Sequence, residues 1–285
     1  MTPVFTAEDH VFFKENGYVI LKNAVPQNNL DAVLSAIEEY TGIDLNNPDA
    51  WYHGTHPPHG NGMLELYQHQ ALWDNRQCPR IHQGFSELWG TEKLWVSMDR
   101  VNLKPPMHPE HPENDHTGFI HWDVDTSERP AFYLQGVLCL TDTTADMGGF
   151  QCVPEIFKNW DTWVKNAPVD RDPRKPEIKG EKIVPIPGNA GDLIIWSTLL
   201  AHGNGQNVGN RPRLAQYINL SAAPHGELTP AQEAKRLQRV SCWRNRTPPN
   251  EPWAHGDPRE WEQKNGTTAV LTPLGRKLLG EDLWD

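Results

Sequence analysis

The stretch Gly118 to Pro130, GFIHWDVDTSERP, sets His121 and Asp123 two residues apart in a segment that reads as a strand. Alternate side chains of a strand leave by the same face, so this spacing brings an imidazole and a carboxylate within reach of one object. A divalent metal ion is such an object, but a hydrogen-bonded pair on a solvated face uses the same spacing, and a lone His-x-Asp does not choose between them. His202, at the end of the apolar run GDLIIWSTLLA, offers a third ligand. Two histidines and one carboxylate hold a non-haem iron(II) on one face and leave its other positions open. Further on, Arg213 stands in RLAQYINLS, a strand expected to return antiparallel. Its planar guanidinium matches a carboxylate through two parallel hydrogen bonds, which an ammonium does not. Arg211 competes for that role, but it precedes Pro212 and reads as a turn residue. A metal with open positions beside a carboxylate clamp implies an anionic, chelating cosubstrate.

Two other classes use parts of this set. A zinc hydrolase could hold a metal-bound water on the same three ligands, although it has no use for a carboxylate clamp on the returning strand. A metal-free, cupin-like binding protein would need none of the three ligand types at these positions. Two further histidine groups, His53, His56 and His59, and His108, His111 and His116, lie in the irregular segments WYHGTHPPHGNG and HPEHPENDH. Neither has a hairpin, helix or cysteine to fix a tetrahedral site, so both read as exposed or pocket histidines. Their loops are the candidates for a lid.

The elements that must position these residues follow from periodicity and turn chemistry. Thr6 caps a helix over AEDHVFFKEN that Gly17 stops, YVILKNAV reads as a strand, and NNLDAVLSAIEEYT carries Leu30, Val33, Leu34, Ile37 and Tyr40 at helical spacing before Gly42. From Trp95 onward, short apolar segments alternate with turns: LWVSMDRVNL, GFIHWDVD, FYLQGVLCLTD, GFQCVPE, KIVPIPG, GDLIIWST, AHGNGQN and RLAQYINLSA. Short strands at this spacing, with helices confined to the ends, predict an antiparallel barrel or jelly roll. Thr229 and Pro230 then open a helix, and the tail VLTPLGRKLLGEDLW forms another that packs back through Leu278, Leu279 and Trp284. Without a repeat or linker, residues 1–285 read as one domain: a helical part over about 1–94, a jelly-roll core over about 95–223 and a C-terminal extension over about 224–285.

Composition excludes some partners. The net charge of -11 argues against a nucleic-acid or anionic-membrane surface. The one basic run, RDPRKPEIKGEK from Arg171 to Lys182, could meet an anionic substrate tail but reads as a solvated, proline-broken loop. No apolar stretch is long enough to span a bilayer, and the start lacks a leader pattern, so a cytoplasmic location is expected. Four scattered cysteines form no C-x-x-C, and Cys139 and Cys152 sit in apolar runs as buried thiols.

Taken in order, ENGYVILKNAVP, RVNLKP, HWD, MGGFQCVP, GDLIIWSTLLAHGNGQNVGNRPRLAQYI and LTPLGRKLL resemble the phytanoyl-CoA dioxygenase superfamily, which includes ectoine hydroxylase. The resemblance implies a double-stranded β-helix, a jelly-roll variant, flanked by N- and C-terminal helices, and an enzyme using Fe(II), 2-oxoglutarate and O2. It implies His121, Asp123 and His202 as iron ligands, Arg213 on the distal carboxylate of 2-oxoglutarate and Asn102 as a further cosubstrate contact. Hydroxylation of a C–H bond of a small-molecule substrate, with release of succinate and CO2, is the implied reaction. The presence of Asp123 argues against the halogenating variant. Where family members continue GGFxxVP with a Gly-Ser-His turn, this chain has Glu155, Ile156 and Phe157, so a reshaped loop is expected there. Trp122, between two ligands, should face away from them into the core.

Overall fold

The computed structural model describes residues 2–55, 62–114, 118–168, 170–178 and 180–284. Its first helix, α1 (Ala7–Asn16), is closed by a reciprocal box between Thr6 and Asp9 and stopped by Gly17, whose φ of 78° suits glycine. Strand β1 (Tyr18–Leu21) follows, then α2 (Gln27–Thr41), which buries Leu30, Val33, Ile37 and Tyr40 along one face. A two-residue strand β2 (Met63–Leu64) leads into α3 (Gln70–Arg76) and α4 (Pro79–Trp89).

The predominantly β part comprises β3 (Leu94–Val96), β4 (Val101–Lys104), β5 (Leu134–Cys139) and β6 (Phe150–Cys152), then β7 (Val184–Pro185), β8 (Leu193–Ser197), β9 (His202–Asn204), β10 (Arg213–Tyr217) and β11 (Leu220–Ala222). Helices α5 (Pro154–Lys158) and α6 (Trp160–Asn166) separate β6 from β7. A six-stranded antiparallel sheet runs β1-β8-β5-β10-β4-β2, a three-stranded one β7-β6-β9, and β11 pairs with β3. The chain ends in α7 (Pro230–Asn245), α8 (Trp261–Asn265) and α9 (Pro273–Leu279).

Alternation along the strands sorts side chains between two layers. Leu134, Leu138, Leu193, Ile195 and Leu214 join the main core with the helices. Their neighbours Val137, Cys139, Ile194, Trp196 and Ala215 join Phe150 and Cys152 of the smaller sheet in a second cluster. Arg213 and Tyr217 share the face of Ala215, and Asn102 stands directly opposite Ala215 on β4. The second layer therefore carries the polar groups that matter.

Three expectations are corrected. The ligand-bearing segment is not a strand: His121 forms only an isolated antiparallel bridge with His202, because the Trp122 N–H goes to the carbonyl of Arg174, in a loop, at 2.9 Å. Helices are not confined to the ends, since α5 and α6 occupy the place of the reshaped loop after Val153. The N-terminal part holds a strand beyond the one read at YVILKNAV: β2 pairs with β4, as β1 does with β8, in the large sheet. The tail packs back as read, with Leu278 and Leu279 buried and the Trp284 indole N–H donating to the Leu94 carbonyl at 2.9 Å. No helix among the described residues is long and apolar enough to cross a membrane.

Candidate metal centre

Two glycines let the ligand-bearing segment lie against β9. A Cβ on Gly203 would collide with the Phe119 carbonyl, and one on Gly118, whose φ is 70°, with the carbonyl of Asn204. Reciprocal backbone bonds of 2.8 and 3.0 Å then join His121 to His202. Behind this segment, Trp122 is buried against Trp160 and Trp163, and its indole N–H donates to Leu199 O at 2.9 Å. It faces the core, as alternation predicts even without a ladder. Arg171 fastens the loop on its far side, donating to Thr126 Oγ1 at 2.9 Å and Thr126 O at 2.8 Å, with its guanidinium over the Trp163 ring.

On the cavity side, the ligand atoms of His121, Asp123 and His202 lie within 4.8 Å of one another, and among the described residues no other group of this kind could hold a metal ion. Asp123 directs one oxygen at each imidazole: Oδ1 is 3.2 Å from His121 Nε2 and Oδ2 3.5 Å from His202 Nε2. His202 Nδ1 lies 2.9 Å from the carbonyl of Leu200. A carbonyl only accepts, so Nδ1 carries the proton and Nε2 presents a lone pair to the carboxylate. Two acceptors facing each other repel unless a cation stands between them, and imidazole nitrogen with carboxylate oxygen is a donor set that suits a divalent transition metal. The residues fit the group. Gln135, projecting inward from β5, donates its amide N–H to Asp123 Oδ2 and so orients the carboxylate. Burial raises the Asp123 pKa, but the polar groups around it, the Gln135 N–H among them, outweigh that and hold the carboxyl well below its ordinary range.

Arg213 is 2% exposed and makes its hydrogen bonds to Asn102 Oδ1 at 2.7 Å and the Tyr217 hydroxyl at 3.5 Å. No carboxylate among the described residues forms an ion pair with it. A buried guanidinium held by neutral groups is a charge prepared for an incoming anion. Asn102, fully buried, thus positions Arg213, and Tyr217 is in turn held by Asn204 Nδ2 at 2.9 Å. Arg211 lies in the turn before Pro212, where its carbonyl accepts from Asn207 at 2.9 Å. The structure therefore brings His121, Asp123 and His202 together and sets Arg213 with Asn102 in the same layer.

A cavity of about 1540 Å³ opens over His121, Asp123 and His202; Arg213 and Asn102 do not line it, but Tyr217, to which Arg213 donates, does. Its inner wall includes the three ligands, Gln135 and Tyr217; its outer wall is one side of α7 with Pro249 to Trp253. Sequence reasoning did not select Gln135 or Tyr217. Tyr217 was accessible, since it lies four positions from Arg213 on the same strand face, whereas Gln135 carries no signal until β5 is paired with β8. The lid expectation fares differently. Tyr52 stacks on His111 at 4.6 Å and donates to Pro106 O at 3.0 Å, so the two loops meet each other, and neither Tyr52, His53, His108 nor His111 lines the cavity. His56, His59 and His116 lie outside the described residues.

Comparison with known proteins places this geometry. The family model for phytanoyl-CoA dioxygenase matches residues 13–215. A putative phytanoyl-CoA dioxygenase from Dictyostelium discoideum is 21% identical over 262 residues, covering 73% of each chain. The crystal structure of GlcNAc Inducible Gene 2 from Candida albicans superposes with a TM-score of 0.71 at 11% identity, covering 100% of this chain and 78% of the other. That of the epimerase SnoN, in complex with Fe3+, alpha ketoglutarate and nogalamycin RO, does so with a TM-score of 0.53 at 15% identity, covering 93% and 94%.

Proposed function

The chain belongs to the phytanoyl-CoA dioxygenase family, and from that premise we propose that it is a non-haem Fe(II)- and 2-oxoglutarate-dependent dioxygenase on a double-stranded β-helix. It acts on a small-molecule substrate, hydroxylating a C–H bond with release of succinate and CO2. The observation that carries the reading is the pairing of a two-histidine, one-carboxylate centre with a buried arginine that has no carboxylate partner among the described residues. A zinc hydrolase or a metal-free binding protein would leave that arginine unexplained. SnoN, by its description, binds the same metal and cosubstrate on a related fold, which supports the cofactor assignment.

When bound, the iron would supply open coordination positions and the redox chemistry that O2 requires. The rest is the work of the chain. His121, Asp123 and His202 would hold the metal, with His202 fixed in the required tautomer by Leu200 O. Gln135 keeps Asp123 turned toward the centre. Arg213 would bind the far carboxylate of 2-oxoglutarate, with Asn102 aligning the guanidinium. Buried Trp196 and Phe150, with half-buried Tyr217, surround the centre with rings that limit water access. The test is direct. Adding 2-oxoglutarate to Fe(II)-loaded protein under nitrogen should develop a metal-to-ligand charge-transfer band, and admitting air should bleach it as succinate forms. Absence of the band, or equal substrate turnover by anaerobic zinc-loaded protein, would sink the proposal.

A further inference from the structure

Beside the three ligands, the cavity wall carries a line of hydrogen-bond acceptors that the chemistry above does not use. Gln135 points its N–H at Asp123, so its Oε1 faces the other way, and that buried oxygen has no partner among the described residues. From the next residue, the Gly136 N–H donates to Asn219 Oδ1 at 2.8 Å, and Asn219 Nδ2 reaches Asp99 Oδ2 at only 3.4 Å. Asp99, in the connection between β3 and β4, has its other oxygen bound to the Arg100 N–H at 2.7 Å and paired with the Arg100 Nε at 3.7 Å, which leaves Oδ2 as its freer side. Its side chain is 15% exposed, and it borders the same cavity as Gln135 and Asn219. One carboxylate oxygen is thus weakly occupied and one amide oxygen unoccupied. Both are acceptors, the amide oxygen always and the carboxyl oxygen when ionised.

The remaining surroundings are broad and ring-rich. Phe119, Tyr133 and Trp253 line the space, and Trp253 covers the Arg100 guanidinium at 5.1 Å. The volume exceeds the roughly 300–1,000 Å³ of ordinary small-ligand pockets. Trp253 and α7 lie beyond the residues matched by the family model, so this outer wall is a property of the C-terminal extension.

We infer that Asp99 and Gln135 Oε1 form a donor-reading wall that positions the primary substrate: a bulky, largely apolar ring skeleton bearing a hydroxyl or ammonium close to the carbon that reacts. This rests on the proposed oxygenase function. A polar donor is favoured because an apolar edge there would leave the buried Gln135 oxygen unpaired and Asp99 Oδ2 with only its long bond from Asn219. Asp99 is a positioning residue, touching substrate and not the metal.

Four probes on one ring system test it: 2-naphthalenemethanol and its methyl ether, and 2-(aminomethyl)naphthalene and its N-acetyl-N-methyl derivative, which has no N–H. Saturation-transfer NMR gives a Kd for each on metal-free protein, and again with Fe(II) and 2-oxoglutarate under nitrogen. There the charge-transfer band reports on the cosubstrate reading independently. At least one donor should bind about tenfold more tightly than its capped partner, the alcohol marking a neutral substrate and the amine a cationic one. Asp99→Ala should bring that ratio to about one and Asp99→Asn, which keeps the side-chain shape, to roughly threefold, with the capped compounds unchanged. A merely structural role would weaken capped and uncapped probes together. Equal affinities, a ratio that survives in the folded variants, or no binding of either donor would overturn the inference even where the band forms. A missing band with the ratio intact would overturn the cosubstrate reading alone.

Discussion

Nε2 of His202 faces a carboxylate oxygen at 3.5 Å with its other nitrogen committed to Leu200, and this one orientation carries much of the site's chemistry. Replacing His121, Asp123 or His202 by alanine should each remove most bound Fe(II), read as iron per chain after anaerobic loading, with circular dichroism unchanged because both apolar clusters remain. Arg213 separates a cosubstrate site from a bare metal site. Arg213→Ala should weaken 2-oxoglutarate binding roughly thirtyfold or more while iron content holds. Arg213→Lys should recover part of that, and Arg211→Ala should change little; titration of the charge-transfer band measures all three. A larger effect at Arg211 would transfer the clamp to the turn. That His121 and Asp123 share a face was legible in the sequence because a spacing of two keeps side chains on one side even in extended chain that joins no ladder, and His202 stood out at the end of an apolar run. Gln135 was not, since a single amide on a strand has no pattern until its partner strands are known.

At the scale of elements, the errors have one source. Trp122 donates to Arg174, more than fifty residues away and in a loop, and no local pattern announces that partner, so an extended segment was read as a strand. Similarly, Pro154 at the first position of α5, with Ile156 buried beneath it, turns the expected loop into helix. Long, periodic α2 and the capped α1 and α7 were legible throughout, because their signals lie within a few residues. The close approach of the ligand segment to β9 makes a specific prediction. Gly203→Ala must push the Phe119 carbonyl away, so iron content should fall several-fold although no ligand is altered. Near-normal iron in a folded Gly203→Ala protein would show that the segment can shift without moving His121.

Across the whole molecule, the C-terminal extension is tied to the first third of the chain through a buried acid. Glu262 accepts from the N–H groups of Tyr67 at 2.8 Å and Gln68 at 2.6 Å, and burial pushes its pKa up to about 7 despite those bonds and nearby Arg76. A carboxyl whose folded pKa exceeds its unfolded value holds more protons when folded. It therefore adds stability below the unfolded pKa, near 4.5, and loses it as pH rises through about 7. This group alone should lower stability by up to about 3 kcal/mol over that window, seen as a falling Tm, and Glu262→Gln should flatten the slope. A Tm that rises equally in both proteins over that range would contradict the assignment. A different consequence follows from the loop that fastens Trp122. Because His121 and Trp122 are bonded to one β-strand edge and one loop carbonyl instead of a continuous ladder, this segment belongs to the portion of a fold that opens independently of the rest. In amide hydrogen-exchange mass spectrometry, peptides spanning residues 119–126 should exchange earlier than those of β8, and Fe(II) should slow them selectively. Metal occupancy would then be readable from the backbone of the ligand segment before any substrate is in hand.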